Sequence, residues 1–496
     1  DVYKRQGVVT PLHPNVGRGH FTNPFRLLLS CETPGITIRF TTDGSEPTAS
    51  SPVFPGAIDV SDTTLFRAAG FKADHLPSRT LTQSYLFDFS EALRSLPVVS
   101  LVTDSNHLWG VNGIMGFDDG NYMNVTNHGL AWERPTSVEW IEPDDHGGFQ
   151  ADCGIRIQGS DFNRENSPPD AKRSFRLYFR GDYGPGRLEY PLFPLTTVER
   201  FDGIVLRAGF NEQGNPFIRD ELVRRLSHDM GQIASHGNLA VVLINGSYYP
   251  GSPWYNPCER IHEEFFQEHL GGGDEWDVVK PRWQNPKYVD GSAEDFENMI
   301  DWVDYVADMA KTSDYITLSQ RLDITNFVDY LVLNTYTGTR DWPGNNWRAG
   351  RDQRPDGIWQ FAVWDAEMAY GIYGRPPNGP DAVNRFTEED GLYGSWIQIR
   401  VLYTDLIESP EFRLLWADRV QKHFHNGGVL TEAHQLSRLN ELKQELNALI
   451  PSMDASIENW IVNRESTFFS QLSSEGLLAP IELSLIHISE PTRPRR

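Results

Sequence analysis

The chain has 496 residues, 39% hydrophobic and 12% aromatic, with 44 basic against 68 acidic side chains and a formal charge of −24. Such a length exceeds one hydrophobic core and predicts two or more domains; the acidic balance disfavours nucleic acid and anionic membrane as partners. No apolar run reaches the length of a membrane-spanning helix, and three cysteines, Cys31, Cys153 and Cys258, allow one disulfide at most and no zinc set.

The two ends stand apart from what lies between them. Asp1–Gln6 (DVYKRQ) and Leu483–Ile488 (LSLIHI) can be written as reverse-complementary codons, GAT-GTG-TAT-AAG-AGA-CAG and CTG-TCT-CTT-ATA-CAC-ATC. That DNA resembles the end carried by transposase-based sequencing adapters. Residues 1–6 and 483–496 are therefore expected to be adapter-derived and are set aside from fold reasoning. Residues 476–482 are expected to begin a further, truncated module. The natural protein is expected to continue past both ends, so the lack of a signal peptide carries no weight.

From residue 7 to about residue 90 the pattern is all strand. In ITIRFTTDGSEPT, Ile36, Ile38 and Phe40 alternate with Thr37, Arg39 and Thr41 before the turn dipeptide Asp43-Gly44. TTLFRAAGF and TLTQSYLF follow at spacings that predict a small Ig-like β-sandwich. The run from Ile38 to Phe71 resembles the immunoglobulin-like domain found beside chitobiases. The resemblance implies an accessory module, an extracytoplasmic or secreted setting, and a surface for glycan or cell-surface contact.

SEALRSLPVVSLVTD reads as a boundary, and a second domain is expected over residues 97–475. SVEWIE, CGIRIQG, SFRLYFR, GIVLRAGF and AVVLING read as strands. IRDELVRRLSHDMG places Leu222, Val223, Leu226 and Met230 on one helical face and closes at Gly231. DITNFVDYLVLNTY begins on an Asp cap at Asp323. From about Ser395 to Ser473 the pattern is mostly helical. The fold class expected is α+β, sheet-rich in front and helical behind.

The most informative segment is Thr339–Gly371, TRDWPGNNWRAGRDQRPDGIWQFAVWDAEMAYG. A helix ends near Tyr336, Asp341 lies in the following loop, and Asn346 comes five residues later. A hairpin turning at Asp356-Gly357 then delivers Asp365 at the end of IWQFAVW, with Glu367 two further on. Phosphoryl transfer needs such a set: one carboxylate to orient the attacking hydroxyl, and an amide oxygen with a second carboxylate for Mg²⁺. Protein-kinase catalytic loops space their Asp and Asn as Asp341 and Asn346 are spaced. The same residues also suit ordinary turn hydrogen bonds. Lys172, after the polar loop from Gly159 and ahead of SFRLYF, is a candidate phosphate cation. Glu259 and Glu221 are candidate partners for it, and Glu259 equally suits a helix N-terminus. There is no GxxxxGK[ST] and no GxGxxG. His423 and His425 lack a third ligand in the sequence, and Gly271 reads as a helix C-cap.

IRIQGS, AKRSFRLYFRGDYGPG, LRAGFN, IRDELVRRLSHDMG, YNPCERIHEEF, RDWPGNNW and WQFAVWDAEMAYG, in that order, resemble the CotH kinase family. The resemblance implies an atypical bilobal protein-kinase-like fold, with a sheet-rich N-lobe and a helical C-lobe. It also implies ATP- and Mg²⁺-dependent transfer to serine or threonine hydroxyls of secreted, surface or coat proteins. By motif, Lys172 is implied as the phosphate lysine with Glu259 as its carboxylate, and Asp341 as the catalytic Asp. Asp365, Asn346 and Glu367 are implied as metal-binding residues, and Trp359 as a stacking surface for adenine. Glu367 stands where many members carry a second Asp. Two other readings remain open from the residues: a catalytically inactive surface adhesion or scaffold protein, and a carbohydrate-active enzyme, invited by the accessory module and the tryptophans.

Overall fold

A computed structural model describes residues 7–118, 122–143, 147–159, 171–211, 217–249, 252–281, 287–371, 383–388, 391–394, 397–453 and 455–478. The two adapter-derived ends, residues 479–482 of the expected further module, and residues 160–170 of the loop ahead of Lys172 lie outside the described residues. The chain forms two compact units: one from Asp1–Phe210, Gly237–Glu259 and Glu445–Pro451, the other from Asn211–His236, Arg260–Gln444 and Ser452–Arg496.

The first unit opens with the β-rich module. Its strands are β1 (Gly19–Phe21), β2 (Phe25–Leu27), β3 (Thr37–Thr41), β4 (Ile58–Val60), β5 (Thr64–Phe71) and β6 (Leu81–Phe87). A four-stranded sheet runs β1-β6-β5-β3, and β2 pairs with β4. Leu27, Val60, Phe66, Ala68, Tyr85 and Phe87 fill the space between these layers. Ile36, Ile38 and Phe40 pack against that core, as their alternation requires. At the foreseen turn, Ser45 N–H and Oγ both donate to Asp43 Oδ1, and Gly44 takes φ +84°. A side chain at Gly44 would meet the Thr103 carbonyl at 2.6 Å, so only glycine allows the approach.

The same unit contains a closed seven-stranded barrel. Its strands are β7 (Val98–Val102), β8 (Arg134–Ile141), β9 (Phe149–Gln158), β10 (Ser174–Tyr178), β11 (Gly203–Arg207), β12 (Ala240–Ile244) and β13 (Trp254–Glu259). The order is β7-β8-β9-β10-β11-β13-β12, and the ring closes through a parallel pairing of β12 with β7. The expected boundary stretch thus supplies the first barrel strand. Val99, Leu101, Val138, Ile155, Phe175, Leu177, Leu206 and Val242 make one buried core. The module meets the barrel around buried Glu139 on β8. Arg18 Nε donates to Glu139 Oε1 at 2.9 Å, Ser84 N–H donates to the same oxygen, and Ser84 Oγ donates to Oε2.

The second unit holds α1 (Arg219–Asp229), α2 (Glu263–Leu270), β14 (Trp276–Lys280), β15 (Lys287–Asp290), α3 (Glu294–Tyr305), α4 (Thr312–Ser319), α5 (Ile324–Thr337), β16 (Trp347–Asp352) and β17 (Gln360–Val363). Further helices follow among the described residues: α6 (Ile397–Leu406), α7 (Pro410–Phe424), α8 (Glu432–Leu446), whose last two residues are assigned to the first unit, and α9 (Ser456–Ser474). The strands form an antiparallel sheet β15-β14-β16-β17. Leu222, Val223 and Leu226 of α1 and Met230 at its C-cap are all buried, as their spacing predicts, and Gly231 follows at φ +83°. Cys31, Cys153 and Cys258 form no disulfide. Among the described residues no helix is long and apolar enough to cross a membrane.

Candidate active site

Helix α5 is started by Asp323, whose carboxylate accepts the Asn326 N–H at 3.0 Å, and stopped by Gly338 at φ +63°. The chain then turns through the loop that carries Asp341. Trp342, joined to Pro343 by a cis peptide, is buried and donates its indole N–H to the Tyr330 hydroxyl at 2.6 Å. The loop is laced to the turn that follows β17: Arg340 N–H donates to Met368 O and Tyr370 N–H to Thr337 O.

Within that frame Asp341, Asn345, Asn346 and Asp365 converge. Asn345 Nδ2 donates to Asp341 Oδ1 at 2.8 Å. Asn346 Nδ2 lies 3.1 Å from Asp365 O, to which it donates, and 3.5 Å from Asp341 Oδ2. Asp341, Asn346 and Asp365 all adopt left-handed backbone, with φ of +57°, +59° and +60°. A non-glycine residue there is under strain, which persists only where surrounding structure holds it, and such residues gather at functional sites. Asp341 is exposed, Asp365 half-buried and Glu367 buried. Glu367 Oε2 accepts the Asn211 N–H at 2.9 Å.

The turn bearing Asp365 is fixed on both flanks. Val363 bridges to Ala234, in the segment after α1, and Ala366 N–H donates to Asp220 Oδ1 at 2.7 Å. Asp220 gave no signal in the sequence. An acid in the first turn of a helix ordinarily reads as a partner of the helix dipole.

Two of the expected site residues belong to the first unit. Lys172 is 4% exposed, and its ammonium donates to Trp254 O and, at 3.1 Å, to Ser252 Oγ, while lying 4.4 Å from the centre of the Tyr255 ring. Glu259 is buried at the other end of β13. Five residues of extended strand separate it from Trp254, ~17 Å. The expected Lys172–Glu259 ion pair is therefore not formed, because each side chain is held at a different end of the same strand. Arg173, beside Lys172, is a buried cation that the sequence did not single out; burial lowers its pKa.

Trp359 corrects another expectation. It is 0% exposed, donates its indole N–H to Asp295 Oδ2 at 2.9 Å and packs edge-on against Phe296. It precedes β17, whereas Asp365 follows it, so the two lie ~20 Å apart along extended chain. No ring face is open for an adenine. Glu221 is occupied within α1 by Arg224 and Arg225, each at 2.8 Å.

Comparison with known proteins bears on the same segments. The family described as CotH kinase protein matches residues 155–468. The chitobiase/beta-hexosaminidase C-terminal domain matches residues 16–82. Among solved structures, the chain is similar to the Helicobacter pylori proinflammatory kinase CtkA at 12% identity, with a TM-score of 0.25, over 57% of this chain and 92% of that one. No curated protein matches the sequence.

Proposed function

Because the chain belongs to the CotH kinase protein family, we propose that it transfers the terminal phosphoryl group of ATP, with Mg²⁺, to serine or threonine hydroxyls of secreted, surface or coat proteins. The observation that carries this reading is the approach of Asp341 to Asp365 across the side chain of Asn346. Asp341, exposed at the loop and steadied by the Asn345 amide, orients the acceptor hydroxyl and takes its proton as the new oxygen–phosphorus bond forms. ADP leaves with the electrons of the bond that breaks.

The carboxylates of Asp365 and Glu367 are hard oxygen donors of the kind magnesium takes. With Nδ2 of Asn346 committed to the Asp365 carbonyl, its amide oxygen is the atom left to join them. The donor set thus fits the ion, which when bound supplies charge neutralisation on the phosphate oxygens. Lys172 is the proposed phosphate cation. Its ammonium donates to a carbonyl and a hydroxyl and lies over the Tyr255 ring, contacts that hold it in place. Glu259 is kept in the proposal as a buried acid of the nucleotide-binding half, not as the partner of Lys172. The match to a chitobiase-type module supports an extracytoplasmic setting and a glycan-contacting role for that module.

The test is transfer of label from γ-labelled ATP to a generic protein acceptor. Asp341→Ala and Asp365→Ala are each expected to lower transfer by ~10²-fold or more, the range lost with a positioned base or an electrostatic group. Equal labelling by all three proteins would overturn the assignment. No labelling by the unaltered chain, together with glycan binding, would favour the surface-scaffold reading.

A further inference from the structure

We infer that Asp220, on the first turn of α1, is a positioning residue that holds the turn carrying Asp365 in its strained, left-handed conformation. The inference rests on the phosphoryl-transfer reading for its catalytic consequence, but its structural content stands alone. Asp365 has φ +60° without being glycine. A residue keeps that conformation only where neighbouring bonds impose it. Three backbone restraints are present: the Val363–Ala234 bridge before it, the Asn346 amide on its own carbonyl, and the Asp220 carboxylate on the Ala366 N–H after it.

Of these, the Asp220 bond is the charge-assisted one, and it is buried: Asp220 is 2% exposed. Bonds of that type are about twice as strong as neutral ones. The carboxylate is itself braced. Arg224 Nε donates to Asp220 Oδ2 at 3.1 Å, and Arg224 Nη1 donates to Ser235 O at 2.9 Å. Ser235 adjoins Ala234, the residue bridged to Val363. One helix turn and the segment after α1 therefore form a single brace that grips the Asp365 turn before and behind. Without Asp220, the Ala366 N–H would be released and Asp365 would relax from its left-handed backbone, turning its carboxylate away from the place a metal ion needs it. The effect is transmitted through the backbone.

The experiment compares the unaltered chain with Asp220→Ala, Asp220→Asn and, as a control for general destabilisation, Asp229→Asn. Asp229 is at the far end of the same helix, where it pairs with His434 and Arg438. The first readout is hydrogen exchange of the Ala366 amide by NMR without nucleotide or metal. The second is phosphoryl transfer as a function of Mg²⁺ and ATP. For Asp220→Ala, exchange at Ala366 is expected to rise ~10-fold or more, the usual effect of losing one buried bond. The kcat is expected to fall ~10–100-fold with a higher half-saturating Mg²⁺, as for other residues that orient a metal ligand. The KM for ATP should change little. Asp220→Asn, which keeps an acceptor oxygen but not the charge, should fall between the two.

Asp229→Asn should lower the melting temperature while leaving Ala366 exchange and Mg²⁺ dependence as in the unaltered chain. Unchanged Ala366 exchange in Asp220→Ala overturns the inference whether or not the chain is a kinase. If Asp220→Ala does not fold, unchanged exchange in Asp220→Asn does so equally. Raised exchange together with no transfer by the unaltered chain supports the brace and rejects the kinase reading instead.

Discussion

At the scale of single residues, Asp341, Asn346 and Asp365 were legible because their relation is written locally: a helix end, a loop of fixed length and a hairpin bring them together within one stretch of chain. Trp359 lies in that stretch too, yet its role was not legible, since a strand pattern does not say which faces are covered from both sides. The structure predicts that Trp359→Phe lowers the melting temperature while leaving the KM for ATP where it was. The indole bond to Asp295 is lost, but no nucleotide contact is. Titration of transfer rate against ATP checks this, and a several-fold rise in KM with unchanged stability would restore the stacking role. Asp220 was unreadable for a different reason: its partner is a backbone amide 146 positions away, and backbone groups leave no mark in a sequence.

At the scale of elements, hydrophobic period and caps foretold α1, α5 and the late helices, because amphipathic spacing and an Asp or Gly at the ends are sufficient causes. They did not explain His423, which carried a faint suggestion of metal binding. On α7 it is buried with Nε2 3.0 Å from Asp329 of α5, and Arg419 donates to both oxygens of that carboxylate, at 2.7 and 2.6 Å. Gln232 donates to Asp329 as well. Burial pushes the Asp329 carboxyl up, but the hydrogen bonds from His423 and Arg419 outweigh it and hold the pKa below its ordinary value. This cluster ties α5, which leads into the Asp341 loop, to α7. Asp329→Ala is expected to cost ~3–5 kcal/mol, because it leaves the Arg419 side chain, only 11% exposed, without its counter-charge. Denaturant unfolding measures it; a loss under ~1 kcal/mol would show the cluster to be a surface-like pair.

At the scale of the whole molecule, the sequence announced a β-module and a larger mixed domain, while the closure of the barrel was hidden, because β12 and β13 arrive only after α1 has been laid down elsewhere. The junction of module and barrel also carries unusual acids. Burial raises the pKa of Glu139 against the pull of Arg18. Burial likewise raises Asp152 to about 6, opposed by Arg67 and reinforced by Glu46. For Asp152 the folded protein therefore holds its proton over a range where the unfolded chain, at its ordinary 3.8, has released it. Its contribution to stability is fullest below that lower value, falls as pH rises, and is lost once pH passes about 6. Asp152→Asn should thus gain on the unaltered chain as pH climbs through that window. Parallel melting curves test this, and a constant difference across the window would remove Asp152 as the source. The ring order has a further consequence for biosynthesis. A ribosome that has delivered the chain only as far as Arg207 has exposed two lone strand margins, at Val98–Val102 and Gly203–Arg207, which find their mates only when Ala240–Glu259 emerges. Nascent or clipped fragments ending in that interval will be sticky toward one another, and it is there that a chaperone would have most to do.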